Sequence, residues 1–327
     1  MLPVMSPLIA AVVLVAGLAL LVVGADVVVA RGSSLAARWG VPPFVVGVTV
    51  VSIGTSLPEL AVGVNAALQD NAGLAVGNIV GTNLVNLLLV LGLAALLVPV
   101  DVDGRTLRVD LPAMIGAAVL LLVLCLDAEL STTDGVVLVA YGVGYLAVVL
   151  VPVLRGGGGG GDDPGPPVEA ATDGPGVGRQ VLVLVGGLVV VVVGSELLVG
   201  GAVDVATSLG AGDVLVGLTV VAIGTSAPEL VTTVVGTLRG ERDLAIGNLV
   251  GSSIINIALV LGPTVVLAPG RITVPGEILA VDLALLVAVT VLAVPAFVTG
   301  RRLSRAEGGV FVATYLVYLG YLLREIA

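Results

Sequence analysis

Long apolar runs separated by short polar breaks recur from one end of this chain to the other. They fall at residues 7–30, 43–68, 73–98, 111–127, 135–154, 180–202, 213–238, 244–268, 276–299 and 308–323. Runs of this kind, near 20 residues, match the ~30 Å hydrocarbon thickness of a bilayer. The pattern predicts an all-α membrane protein of ten transmembrane helices. The first run has no basic residue before it, is too long for a signal-peptide core and lacks a clear cleavage site, so it is read as a span.

The fifth and sixth runs are separated by GGGGGGDDPGPPVEAATDGPG, residues 156–176, whose glycine, proline and acid give it almost nothing to bury. This flexible linker, bounded at 155–178, divides a first five-helix repeat (1–154) from a second (179–327). A shift of 170 residues without a gap lays Val46–Gly92 over Val216–Gly262 with 25 of 47 positions identical, and upstream it lays Gly24-Ala25-Asp26 over Gly194-Ser195-Glu196. Five is odd, so the second unit must enter the membrane upside down. Inverted repeats are a transporter plan, with the substrate site near the bilayer midplane where the two units meet.

Charge then orients the chain. All 13 basic residues are Arg, against 23 Asp plus Glu and a formal charge of −10. With both termini outside, the inner loops carry Arg31, Arg38, Arg105, Arg108, Arg155, Arg179, Arg239, Arg242, Arg301, Arg302 and Arg305, leaving Arg271 and Arg324 outside. That imbalance puts the linker in the cytoplasm. The chain has no His and one cysteine, Cys125, so imidazole relays, intrachain disulfides and thiolate metal sites are excluded. Without Lys or His there is no nucleophile–base pair for an intramembrane hydrolase and no phosphate-binding loop for an ATP-driven pump. No enzyme and no cofactor are expected.

The densest polarity inside the runs lies in the second and seventh, Gly54-Thr55-Ser56-Leu57-Pro58-Glu59 and Gly224-Thr225-Ser226-Ala227-Pro228-Glu229. A proline lacks the amide hydrogen and clashes one turn back, so both helices should bend or unwind there. Carbonyls near Ser52 and Ala222 would be released and need partners. Thr55 and Glu59, like Thr225 and Glu229, are four residues apart and share a helix face. No Arg lies at a span centre, so the partner predicted for these costly intramembrane carboxylates is a cation. The third and eighth runs add Asn78, Thr82 and Asn86, and Asn248, Ser252 and Asn256, each set at four-residue spacing. Gly77–Gly81 and Gly247–Gly251 are small surfaces for close helix approach. Oxygen ligands alone suit the hard cations Na⁺, Ca²⁺ and Mg²⁺, and four helices of adjustable geometry suit Ca²⁺ best among them.

Bland readings stand beside these. A buried carboxylate can be held by hydrogen bonds in a bundle core, and Ser or Thr hydroxyls often bond their own backbone. Asn78 and Asn248 are equally readable as ties between helices. Asp26 lies near a span end, where pairing with Arg31 or snorkelling accounts for it; Glu196 matches it in the second unit. Asp282 is read as interfacial, without a role.

The GTSLPE and GTSAPE elements, each followed by GNxxG(T/S)xxxN, resemble the α-repeats of the Na⁺/Ca²⁺ exchangers of the calcium/cation antiporter superfamily. The resemblance implies a ten-span fold with broken helices 2, 3, 7 and 8 at the core and spans one and six sliding across it. It also implies a metal site of Thr55, Ser56, Glu59, Thr82 and Asn86 with Thr225, Ser226, Glu229, Ser252 and Asn256, plus the backbone carbonyls of Ser52 and Ala222. The expected partners are Ca²⁺ and Na⁺ and the lipid bilayer. Many relatives carry Asp at one of the positions held here by Asn86 and Asn256, so this site has a formal charge of only −2. One Ca²⁺ or two Na⁺ would neutralise it, as would one Na⁺ with a proton. Ca²⁺/H⁺ exchange, K⁺-dependent exchange and a passive cation channel are the alternatives.

Overall fold

The computed structural model describes residues 6–68, 72–155, 176–208, 222–298 and 301–326. Most of the linker, and residues 213–221 of the expected seventh span, lie outside the described residues. Among those described, eight helices are long and apolar enough to cross a membrane, or nine if one bent pair counts as a single span. In chain order the helices are α1 (Pro7–Trp39), α2 (Pro43–Thr55), α3 (Leu57–Leu68), α4 (Gly73–Leu97), α5 (Thr106–Leu124), α6 (Thr132–Leu154), α7 (Val177–Ser208), α8 (Ala222–Thr225), α9 (Ala227–Leu238), α10 (Arg242–Leu267), α11 (Ile278–Val298) and α12 (Arg305–Ile326). Helix α7 starts at Val177, so the last two positions of the expected linker are helical.

Proline explains the one sharp bend found among the described residues. Helices α2 and α3 meet at 43° around Ser56, two residues before Pro58. Ser226 sits in the matching break between α8 and α9, just before Pro228. The expectation that the third and eighth spans are also broken is corrected: α4 and α10 are continuous. Each instead winds through a π-helical turn, at Val85–Val90 and Asn256–Leu261. Span three has no proline to force a break. In span eight Pro263 follows directly after the wide turn, which accommodates its missing amide without a kink.

Burial sorts the helices into a centre and a periphery. In the most apolar window, 78% of α4 and 94% of α10 is buried, against 28% of both α1 and α7. Leu8, Ile9, Val12, Val15 and Leu18 of α1 are exposed, which in a bilayer places them against lipid. Helices α1 and α7, 33 and 32 residues long, pack along each other at the edge of the centre. Glycine sets their separation: a methyl group at Gly17 would lie 2.4 Å from the Leu198 amide nitrogen, and one at Gly194 would lie 2.7 Å from that of Leu21. Small residues thus let the two backbones touch. The same device joins the two halves at the centre, where Gly47 and Gly247 bring α2 against α10 and a methyl group on either would fall 2.4 Å from backbone oxygen.

The ends of the helices carry matched devices. Ser131 and Asp134 form a capping box at the start of α6, and Ser304 and Glu307 make the same exchange at α12. Left-handed Gly40 (φ 64°) and Gly240 (φ 81°) end α1 and α9, a conformation that glycine adopts without a side-chain penalty. Four short strands, absent from the all-helical expectation, tie loops together in two antiparallel ribbons: β1 (Val100–Asp101) with β4 (Arg302–Leu303), and β2 (Glu129–Leu130) with β3 (Ile272–Thr273). Asp101–Arg302 and Glu129–Arg271 ion pairs flank them.

Candidate cation site

The breaks before Pro58 and Pro228 place Glu59 and Glu229 in the first turns of α3 and α9, both completely buried. Their carboxylates lie close enough to interact electrostatically, although 170 residues separate them in sequence. The hydroxyls of Thr55, Ser56 and Ser252 cluster about Glu229. None makes a well-formed hydrogen bond to it, for all four carboxylate oxygens of the pair lack a geometrically satisfied partner among the described residues.

The interdigitation of the halves is explicit around Ser52 and Thr55. The Ser52 hydroxyl donates to the carbonyl of Asn248 at 2.8 Å, and Thr55 donates to the Asn248 side-chain oxygen at 3.2 Å. Thr55 also lies 3.5 Å from the Ser252 hydroxyl. Asn248, open to either reading in sequence, therefore ties α10 to the broken helix. The π-turn bearing Asn86 packs against α9, the helix of Glu229, while the turn beginning at Asn256 packs against α3, the helix of Glu59. A π-turn inserts one extra residue and re-aims the side chains around it, and such turns recur at functional sites.

The expected ligand positions are all buried where side chains are described: Ser52, Thr55, Ser56, Glu59, Thr82, Asn86, Thr225, Ser226, Glu229, Ser252 and Asn256. Ala222 starts the short helix α8 at the edge of the described residues. The hydroxyls of Ser56, Thr82 and Ser226 and both side-chain polar atoms of Asn86 and Asn256 have no hydrogen-bond partner among the described residues. Buried polar atoms are paired in the great majority of proteins, so a cluster of orphaned oxygens marks a place that holds something. No group of three or more His, Cys, Asp or Glu converges among the described residues. The donor set is two carboxylates amid neutral oxygens.

One expectation about the backbone changes. The Ser52 carbonyl is not released by the break: it accepts the Ser56 amide at 3.0 Å and the Thr55 hydroxyl at 3.3 Å. Pro58 withholds its donor from the carbonyl of Gly54, four residues back. In the second half the corresponding carbonyl, that of Gly224, receives the Ser195 hydroxyl of α7 at 3.0 Å. The first half has Ala25 at the matching place on α1, with no hydroxyl to give.

Outside this centre, Asp26 pairs with Arg239 at the end of α9 rather than with Arg31. Both groups are nearly half exposed, and Glu196, its counterpart, is exposed. Asp282, expected at an interface, lies in α11 and accepts the Tyr318 hydroxyl at 2.9 Å; Asp110 accepts that of Tyr145 at 3.0 Å in the first half. The ungapped alignment of the halves missed this pairing, because the second pair is displaced by two and three positions from a 170-residue shift.

A bundle of membrane-spanning helices whose buried centre gathers two carboxylates and several unpartnered hydroxyl and amide groups defines a membrane transporter of hard cations. Comparison with known proteins gives the family. The profile of the sodium/calcium exchanger proteins matches residues 9–151 and 179–324, and the chain belongs to that family. The sodium/calcium exchanger MaX1 of Methanosarcina acetivorans is 31% identical over 339 residues, covering 94% of this chain and 96% of that one. Inner membrane protein YrbG of Escherichia coli (strain K12) is 38% identical over 267 residues, 81% of this chain and 82% of its own. A solved structure of the sodium-calcium exchanger NCX_Mj, soaked with 10 mM Na⁺ and no Ca²⁺, superimposes with a TM-score of 0.82 at 29% identity. The match spans 96% of this chain and 99% of that one. The protein is a multi-pass membrane cation antiporter and not an enzyme.

Proposed function

We propose that this protein exchanges Ca²⁺ for Na⁺ by secondary antiport at a single site near the bilayer midplane. The observation that carries the reading is the cluster of buried, unpartnered oxygens around Glu59 and Glu229, contributed by both halves of the chain. The ligands are the side chains of Thr55, Ser56, Glu59, Thr82 and Asn86 and of Thr225, Ser226, Glu229, Ser252 and Asn256. The carbonyls of Ser52 and Ala222 complete the set; at Ser52 the Thr55 hydroxyl must first turn toward the ion. Six to eight oxygens at adjustable distances suit Ca²⁺, whereas Mg²⁺ demands a stricter octahedron and keeps its waters. Two carboxylates balance one Ca²⁺ or two Na⁺, so the two ions compete for the same charge.

The reading includes the architecture. Two inverted five-helix repeats, 1–154 and 179–327, make ten spans, with a cytoplasmic linker at 155–178 and both termini outside. Helices α1 and α7 slide as a pair across the centre and expose the site to each side in turn. Proton-coupled Ca²⁺ exchange is the second reading, favoured by the amides at Asn86 and Asn256, which leave no third carboxylate for a further Na⁺.

The test is ⁴⁵Ca²⁺ uptake into proteoliposomes under outward Na⁺, K⁺ or H⁺ gradients. Uptake is expected only with the Na⁺ gradient, and stimulation by an inside-positive potential would identify net export of positive charge. Uptake that follows the pH gradient instead would replace this reading by the proton-coupled one.

A further inference from the structure

Beyond the hydroxyls of Ser52, Thr55 and Ser195, which reach another helix, the buried hydroxyls of the spans include two contrasting groups. Ser253, Thr264 and Thr290 donate to the carbonyl four residues back, at 3.0, 2.8 and 2.5 Å. This is the usual way for a helix to satisfy a hydroxyl that has no other task. Ser56, Thr82 and Ser226, all in the proposed cation site, donate to nothing among the described residues. Two further threonines belong with the second group although no motif includes them. Thr232 and Thr233 are completely buried in α9, and neither hydroxyl has a partner among the described residues.

Their position gives this meaning. They follow Glu229 by three and four residues, so both lie on its face of the helix, one turn closer to Arg239. Back-bonding to the Pro228 and Glu229 carbonyls is within the reach of any helical threonine, and here it is not used. The π-turn of Asn86, whose amide is also unpartnered, packs against the same helix. In the first half the corresponding positions are Val62 and Gly63, which have no hydroxyl. The polar lining beyond the glutamate is therefore present in one half only.

We propose that Thr232 and Thr233 form an accessory Na⁺ subsite, bounded on one side by the Glu229 carboxylate and extending toward the Arg239 end of α9. The inference deepens the antiporter reading and rests on it. Neutral hydroxyl oxygens beside one carboxylate supply the ligand type of a hard cation but the charge for a monovalent one. Ca²⁺, which needs both carboxylates, stays at the centre. A Na⁺ ion one turn away shares Glu229 with the central site, and this couples the approach of Na⁺ to the departure of Ca²⁺.

The test uses the full-length protein in detergent with Thr232→Val and Thr233→Val, singly and together, since valine keeps the shape and removes only the hydroxyl. Thermal unfolding is followed against NaCl, with choline chloride holding ionic strength constant, and separately against CaCl₂. A ligand that binds the folded state raises the midpoint as ln(1 + c/Kd), with c the ligand concentration, so fitting the shift against concentration gives Kd; it is expected to rise at least about fivefold for Na⁺ in the double variant and to stay within about twofold for Ca²⁺. Thr232→Ser with Thr233→Ser should restore the wild-type Na⁺ response. A smaller Na⁺ shift, an equal shift for Ca²⁺, or a wild type that Na⁺ does not stabilise would each overturn the subsite. Wild-type stabilisation by Na⁺ but not Ca²⁺, with the Na⁺ response lost in the valine pair, would instead remove the exchange reading and leave the subsite standing. If the valine pair does not fold, Thr233→Ala alone provides the same readout.

Discussion

The centre of the molecule and the α1–α7 pair use opposite means to bring helices together. At the centre, α4 and α10 are buried over most of their length, and polar side chains cross between the halves, as Ser52 and Thr55 do to Asn248. Many of the oxygens there remain unsatisfied. The α1–α7 pair is mostly lipid-facing and relies on glycine, with Gly17, Gly194 and Gly201 setting backbone against backbone. Directional hydrogen bonds fix one register, whereas smooth van der Waals surfaces tolerate displacement at small cost. The difference teaches where motion and binding can reside. On the proposed reading, a centre locked by polar contacts keeps its ligands in place while the apolar pair moves over it. The Ser195–Gly224 hydrogen bond is a polar tie between the pair and the centre with no equivalent hydroxyl at Ala25.

The contrast can be broken most severely at the centre. Glu59→Gln or Glu229→Gln should abolish Ca²⁺ uptake into proteoliposomes, by about 100-fold or more, since even outer partners of metal ligands matter at the 10- to 100-fold level. Size-exclusion profiles should be unchanged, because the amide keeps the shape, and full exchange by either variant would remove the glutamates from the site. A smaller effect is expected at the pair. Gly194→Val drives its β-carbon to 2.7 Å from the Leu21 nitrogen, and overpacking of this kind costs about 1–3 kcal/mol. It should lower the thermal midpoint and slow exchange without altering the half-saturating Ca²⁺ concentration; a shift in Ca²⁺ affinity would mean that the pair also shapes the site. The smallest effect belongs to Asp26→Asn. Its ion pair with Arg239 is nearly half exposed, and pairs of this kind contribute about 0–1 kcal/mol. Exchange rates measured with either ion on the inner face should change by no more than about fivefold.

Much of the centre was legible because its causes are local. Pro58 and Pro228 have no amide hydrogen wherever they occur, and breaks at Ser56 and Ser226 follow. The buried positions of Glu59 and Glu229 follow from the apolar runs around them. The π-turns at Asn86 and Asn256 were not legible, since the extra residue they accommodate answers to packing between helices and leaves no mark in composition. Asp26 was matched to the nearest arginine in sequence, but its partner comes from the other half of the chain. Thr232 and Thr233 escaped notice for a different reason: a search for the repeat rewards positions that agree, and these two matter where the halves disagree.

The crossing of the halves also bears on how the molecule is made. Ser52 bonds to Asn248, 196 residues later. At translation rates of about 5–20 residues per second, the second half of the site emerges on the order of ten seconds or more after the first. Until then the nascent chain holds Glu59 in the bilayer without Glu229, its counterpart in the proposed site. Biogenesis of this protein thus has a built-in waiting period between its two halves.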